Sequence, residues 1–335
     1  MSLADGGRTG FFLHPAAALH DPGWGHPEHQ GRLRALASKV GKDLLVLHGR
    51  VEQVAAEAAT EEHLARVHSR EHIRRVRTAA KEAEEAGQVE VGPETPLSGA
   101  SWEAVLGSSG AVLEAMSRVG SGRLRNAFVA ARPPGHHASA AQAMGFCPIN
   151  HVAVAVRHLQ TEGLAHRVAV VDWDVHHGNG TQEIFYRDPS VFYLSIHQAP
   201  FFPGTGAEAE RGEGEGEGTT LNVPVPAGIS REAYLRRFRE ALEQAERLFT
   251  PDFVVVSAGY DALAEDPLGG LPLRPEDFGR MTEAVAGWAE RACSSRVVAV
   301  LEGGYHPEAT GEAVVATLRT LAGVSHGPDG KGGVT

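Results

Sequence analysis

Val168-Ala169-Val170-Val171-Asp172-Trp173-Asp174-Val175-His176-His177-Gly178-Asn179 begins as a short β-branched run and ends in carboxylates and imidazoles. A continuous apolar run of this length fits a strand buried on both faces. The residues after that run are metal-compatible. Asp174 and His176 are two residues apart, so in an extended segment their side chains project the same way. A hard carboxylate oxygen and an imidazole nitrogen aimed at one point suit a zinc ion.

Outward from this stretch the pattern repeats. Residues 127–131, 191–194, 253–256 and 297–301 are also short, apolar and rich in β-branched or aromatic side chains. Between them run amphipathic stretches. Trp102, Val105, Ser109, Val112 and Met116 share one helical face, as do Leu235, Phe238, Leu242 and Ala245, and again Phe278, Met281, Val285 and Trp288. Strands alternating with helices over this length predict an α/β fold with a mostly parallel sheet covered on both faces. No composition shift marks an interdomain linker, so a single domain over residues 1–335 is expected.

The strand ends carry the chemistry. Run 127–131 leads into Arg132-Pro133-Pro134-Gly135-His136-His137, and run 253–256 into Ser257-Ala258-Gly259-Tyr260-Asp261. Run 297–301 leads into Glu302-Gly303-Gly304-Tyr305. In open parallel sheets ligands bind outside the carboxyl ends of strands, so these groups converge on one edge. Asp174, His176 and Asp261 then supply three ligands and leave a coordination position open, as a catalytic zinc requires. His136 and His137 are suited to moving protons near neutral pH, with Asp172 as tautomer-fixing partner for one of them. Tyr305 can donate its hydroxyl to a developing oxyanion, a contact worth about 2.7–4 kcal/mol of barrier. Metal ligands beside proton-transfer groups predict hydrolysis.

Composition excludes more than it assigns. The net charge of −11 disfavours phosphate-tracking nucleic-acid binding and tolerates cationic substrates. No apolar run is long enough to span a bilayer, and Met1-Ser2-Leu3-Ala4-Asp5-Gly6 lacks a secretory apolar stretch. With only Cys147 and Cys293, no disulfide framework is available, and a reducing cytoplasm is the expected location.

Taken together, these motifs resemble the superfamily of histone deacetylases, acetoin-utilisation proteins and acetylpolyamine amidohydrolases. The matching stretches run in family order: the 132–137 histidine motif, Gly145-Phe146-Cys147, the 172–179 motif, Phe201-Phe202-Pro203-Gly204, the 258–261 motif and Leu301-Glu302-Gly303-Gly304-Tyr305. Gly25-His26-Pro27-Glu28-His29 resembles the N-terminal loop, and the likeness covers about 10–322. The resemblance implies a three-layer α/β/α sandwich of arginase/deacetylase type with an eight-stranded, mostly parallel sheet. It implies Asp174, His176 and Asp261 as ligands of Zn²⁺; Fe²⁺ is the alternative, since both metals accept Asp and His. It implies His136 held by Asp172, His137 as general base and acid, and Tyr305 as transition-state donor. Phe146 and Phe202 match the walls of an acyl-chain tunnel, Gly145 a backbone acceptor beside it, and Leu268 a position at its rim. A structural K⁺ is implied at Asp172, Asp174, His176, Ser195 and Ile196.

Asn179, and Gly178-Asn179-Gly180-Thr181-Gln182 around it, resemble the class II branch, where an amide replaces a carboxylate opposite the second histidine. Asp266-Pro267-Leu268-Gly269-Gly270 resembles lysine deacetylases, since a polyamine-selective branch has an acidic residue where Leu268 stands. The expected substrate is therefore an acetylated lysine in a protein or peptide, with an acetylpolyamine or other small acylated amine as the alternative. A weakly active acyl-lysine-binding module and a two-metal ureohydrolase are the readings from other classes. Trp173 and Val175 between the ligands speak against the second metal, and intact Tyr305 against the inert module. Other groups are expected to be structural: His177, pointing away from His176; Cys147, a buried thiol; and Gly212-Glu213-Gly214-Glu215-Gly216-Glu217-Gly218, a flexible solvated loop. Glu94 is a candidate grip on the substrate backbone. Assembly of like subunits is compatible with the sequence, which does not specify it.

Overall fold

The apolar runs become neighbouring strands. The computed structural model describes residues 7–324, and the hexapeptide 1–6 read for a secretory signal lies outside them. In chain order the strands are β1 (Thr9–Phe12), β2 (Val51–Val54), β3 (Val89–Glu90), β4 (Pro96–Leu97), β5 (Asn126–Val129), β6 (Val168–Asp172), β7 (Val191–Gln198), β8 (Thr220–Val225), β9 (Phe253–Ala258) and β10 (Val297–Leu301). Eight of them form one sheet in the order β2-β1-β5-β10-β9-β6-β7-β8, and β3 and β4 form a separate antiparallel pair. Every neighbouring pair in the large sheet is parallel, so the mostly parallel expectation becomes wholly parallel among the described residues.

The helices are α1 (Gly31–Leu44), α2 (Glu61–Leu64), α3 (Arg70–Ala86), α4 (Ser101–Gly120), α5 (His151–Thr161), α6 (Asn179–Phe185), α7 (Arg231–Leu248), α8 (Pro275–Cys293) and α9 (Pro307–Leu321). They divide by sheet face because alternate strand residues point opposite ways. Ala169 and Val171 of β6 join a core with α1, α7, α8 and α9. Val168 and Val170 join the other with α4, α5 and Phe185 of α6. The predicted helical faces are the ones that pack: Val105, Val112 and Met116 on one side, Phe238, Phe278 and Trp288 on the other. Each branched or aromatic side chain fully buried in this way is worth about 1.5–3 kcal/mol.

Three strands of the large sheet escaped the pattern, as did the β3–β4 pair. β1 and β2 are only four residues long, and β8 contains Asn222 and Pro224. β8 lies at the sheet edge, where proline is tolerated because one side of the strand needs no ladder partner. The Gly/Glu segment also differs from expectation. Its glutamates are exposed, but Gly212 and Gly216 are buried, and residues Gly214–Gly216 form a 3-10 turn. Glu213 N donates to Tyr186 O at 2.8 Å, tying the segment to the end of α6. The alternating glycines let the backbone pack while the carboxylates stay in water.

Because all strands of the large sheet run the same way, their carboxyl ends share one edge. Register places Asp172 beside Ser195 on one side and Ser257 on the other, and Leu301 beside Ala258.

Candidate active site

Immediately past β6 the chain bends at residues 174–176 where an extended segment was expected, yet its side chains still part into two sets. Trp173 and Val175 are fully buried in the core, with the Trp173 ring 6.2 Å from Phe238 and 6.4 Å from Phe278. Asp174 and His176 point to the sheet edge. His176 Nδ1 lies 3.1 Å from Asp174 Oδ1 and 3.1 Å from Asp261 Oδ2. Ligand atoms of all three residues lie within 4.8 Å of one another. Backbone donors hold the carboxylates: Gly303 N on Asp174 Oδ2 at 2.8 Å, and Val175 N on Asp261 Oδ1 at 2.8 Å. Two glycines make this cradle possible. A Cβ on Gly259 would strike the Asp174 carboxylate, and one on Gly303 would strike that of Asp261.

The electrostatics fit a cation. Burial and the neighbouring Asp174 raise the pKa of Asp261 to about 7. Burial also opposes charge on His176, but its bonds to Asp174 and Asp261 outweigh this and raise its pKa to about 10. Two carboxylates this close and this buried hold a proton or a cation between them. Two carboxylate oxygens and one imidazole nitrogen are a donor set suited to Zn²⁺ or Fe²⁺.

The tandem histidines emerge from the loop after β5. His136 Nδ1 is 3.1 Å from Asp172 Oδ2, so Asp172 is the partner of the first histidine. Burial opposes its protonation, but Asp174 and Asp172 raise its pKa to about 10. The His137 ring lies 4.0 Å from it, tilted by 43°, with Nδ1 2.8 Å from Asn179 Oδ1. Donation from Nδ1 to that amide oxygen leaves Nε2 unprotonated. Burial, reinforced by His136 and His176, keeps the His137 pKa well below the ordinary histidine value. The two neighbouring histidines are thus pushed in opposite directions, His136 toward its protonated form and His137 toward its neutral one.

Tyr305 is 7 % exposed, and burial pushes its phenol pKa well up, so it stays a donor. Phe146 packs edge-on to Tyr305 at 5.7 Å, and Phe202 edge-on to His137 at 5.2 Å. Both phenyls are half-buried, unlike core residues. Gly145, at φ +53°, leaves no room for a Cβ, which would lie 2.7 Å from His137 Cδ2 and 3.0 Å from Phe202 Cε1. Leu268 is half-exposed, and Glu94 is exposed with its carbonyl accepting from Phe146 N at 2.8 Å. Ser195 and Ile196 are buried on β7, with Ser195 beside Asp172.

His177 turns away from the carboxylate pair, bonding Thr205 Oγ1 at 2.8 Å and Gln182 Oε1 at 2.9 Å. Cys147 is fully buried, and burial raises its thiol pKa well above the ordinary value.

Four contributors went unread in the sequence. Phe201 stacks on His176 at 5.2 Å, and Tyr193 Oη donates to Asp172 Oδ2 at 3.0 Å. Glu302 Oε2 accepts from Gly135 N at 2.6 Å and His136 N at 3.1 Å, fixing the histidine loop. Arg32 donates to Glu302 O at 2.7 Å and Gly304 O at 2.5 Å, and lies 4.6 Å over the Tyr305 ring. Arg32 is held by Glu28 Oε1 at 2.8 Å, and the same oxygen lies 2.8 Å from Arg132 Nε. The Gly25–His29 motif and the arginine of the histidine motif therefore meet in a buried charge cluster.

Comparison with known proteins agrees with this geometry. The model of the histone deacetylase domain matches residues 26–321. A histone deacetylase-like amidohydrolase of Pseudomonas aeruginosa is 37% identical over 316 residues, covering 94% of this chain and 80% of that protein. A probable deacetylase of Archaeoglobus fulgidus is 36% identical, covering 90% of this chain and 82% of its own length. Histone deacetylase 4 of Caenorhabditis elegans is 40% identical over 90% of this chain, which spans 37% of that longer protein. The crystal structure of the HDA15 HD domain superposes with a TM-score of 0.87 at 36% identity, covering 94% of this chain and 89% of the other. The three-layer sandwich is the arginase/deacetylase fold.

Proposed function

The chain belongs to the histone deacetylase family, and from that premise we propose that it hydrolyses the amide of N-acetylated lysine side chains in a protein or peptide. The observation that carries the reading is the convergence of Asp174, His176 and Asp261 beside a histidine base and a buried tyrosine. Those three residues would hold Zn²⁺ or Fe²⁺, which would supply Lewis-acid polarisation at the scissile amide.

The rest of the chemistry belongs to this chain's side chains. His137 Nε2 takes the proton of the attacking water, and His136, charged against Asp172, lends electrostatic support from 4.0 Å away. Tyr305 donates its phenolic proton in a hydrogen bond to the developing oxyanion. A protonated histidine then returns the proton to the departing amine. Phe146 and Phe202 line the approach and exclude water, with the Gly145 backbone beside them. Leu268 places an apolar side chain at the rim, where a polyamine's distal charge would find no carboxylate. We assign a structural K⁺ to the oxygens of Asp172, Asp174, His176, Ser195 and Ile196, and a cytoplasmic location to the chain.

Purified, metal-loaded protein offered an acetyl-lysine peptide and N-acetylspermidine at equal concentration tests the reading. Peptide turnover is expected, falling about 10²- to 10³-fold in Tyr305→Phe. Preference for the polyamine would overturn the role given to Leu268. No turnover of either substrate with metal bound would overturn the enzymatic reading.

A further inference from the structure

We propose that Asp266 is the positioning residue for Tyr305, coupling the rim of the tunnel to the tyrosine loop. The inference rests on the deacetylase reading above. Asp266 lies in the loop that begins at the ligand Asp261 and carries Leu268, and it is 5 % exposed. Its two oxygens serve different segments. Oδ2 accepts from Tyr305 N at 2.6 Å and from His306 N at 3.2 Å, while Oδ1 accepts from Leu268 N at 2.9 Å.

These contacts supply what the tyrosine loop otherwise lacks. Gly303 is fixed by Asp174, and the carbonyls of residues 302 and 304 by Arg32. Gly304 has φ +115°, a conformation open mainly to glycine, and so permissive a backbone leaves the next residue to be fixed by its own contacts. Asp266 holds it, and His306 then caps α9 by accepting from Ala309 N at 3.2 Å. The rim loop is itself closed at its base by Leu273 N to Ala262 O at 3.1 Å and Ala264 N to Leu273 O at 2.9 Å. A displacement of Leu268 therefore acts on Tyr305 through one rigid carboxylate, not through flexible chain. No other acceptor side chain among the described residues bonds both segments.

The test is Asp266→Asn, which keeps the shape but turns one acceptor into a donor facing an N–H. The expected result is a kcat lower by about 10- to 100-fold, the range typical when an orienting partner is lost, with KM changed less than about 3-fold. Metal content should match the wild type. In a Tyr305→Phe background the same substitution should cost less than about 3-fold, because the positioned group is gone. Hydrogen exchange should speed up at residues 303–306 and 266–268 and nowhere else. Should the amide variant fail to fold, Asp266→Ser, which keeps a single acceptor, takes the same measurements. A kcat within about 2-fold of wild type, an equal loss in both backgrounds, or unchanged exchange at 303–306 would overturn the positioning role while leaving the deacetylase reading intact. A wild type that binds metal and turns over no acyl-amine would overturn both.

Discussion

Glu28 offers a sharp perturbation, because a single buried carboxylate faces two guanidinium groups. Its Oε1 lies 2.8 Å from Arg32 Nη1 and 2.8 Å from Arg132 Nε, and its side chain is fully buried. Burial alone would raise its pKa, but Arg132, His20 and Arg32 outweigh it and hold the pKa at about 2, against 4.5 for an ordinary glutamate. The shift is downward, so the stabilisation is complete above pH 4.5 and is lost as pH falls toward 2. At 1.36 kcal/mol per unit the whole contribution is about 3 kcal/mol. Glu28→Gln should therefore destabilise the protein by about 3–5 kcal/mol at pH 7, since two buried cations lose their counter-charge. The informative measurement is urea unfolding of wild type and variant at pH 6 and at pH 3.5. Other carboxylates titrate alike in both, so their effects cancel. The gap between the two proteins should narrow by about 1.4 kcal/mol over that interval. A gap that is constant with pH would refute the linkage and mean that Glu28 acts by shape alone.

Two further outcomes concern the site itself. Gly303→Ala sets a methyl group against the Asp261 carboxylate, so bound metal should fall and dialysis against a weak chelator should strip the variant before the wild type; equal retention, measured by elemental analysis, would show that the cradle yields to a methyl group. Asn179→Ala removes the acceptor that fixes the His137 tautomer, and kcat should drop by about 10- to 100-fold at unchanged metal content. Steady-state rates indistinguishable from wild type would mean the imidazole orients itself.

How much the sequence made legible depends on how local each signal is. β6, β9 and β10 announced themselves because strands buried on both faces must be continuously apolar, and the candidate site residues sit within a few residues of each strand end. β8 did not, because an edge strand tolerates Asn222 and Pro224 and so loses the signature. The pairing of His137 with Asn179 joins residues 42 apart and was foreseen only through the family likeness, while that of Arg132 with the carbonyl of Glu28 joins residues 104 apart and was not foreseen; no periodicity encodes such distances. Phe146 and Phe202 show the limit from the other side. Composition reads a phenylalanine as core, and only the likeness to a family gave these two a role at an opening. Asp266 was visible merely as part of a motif, since its work is done by backbone donors that any residue type would supply.

The alternation after β6 has a consequence for how this protein would fail. Asp174 and His176 cannot shift without Trp173 and Val175, which are wedged among Phe238, Phe278 and their neighbours on the opposite face. Retention of the proposed cation would thereby gauge aromatic packing in a layer on the far side of the segment. Were the proposed metal held there, loosening between α7 and α8 would release it before the helices melt, and a stock that had lost it on storage would still give the circular dichroism of intact protein.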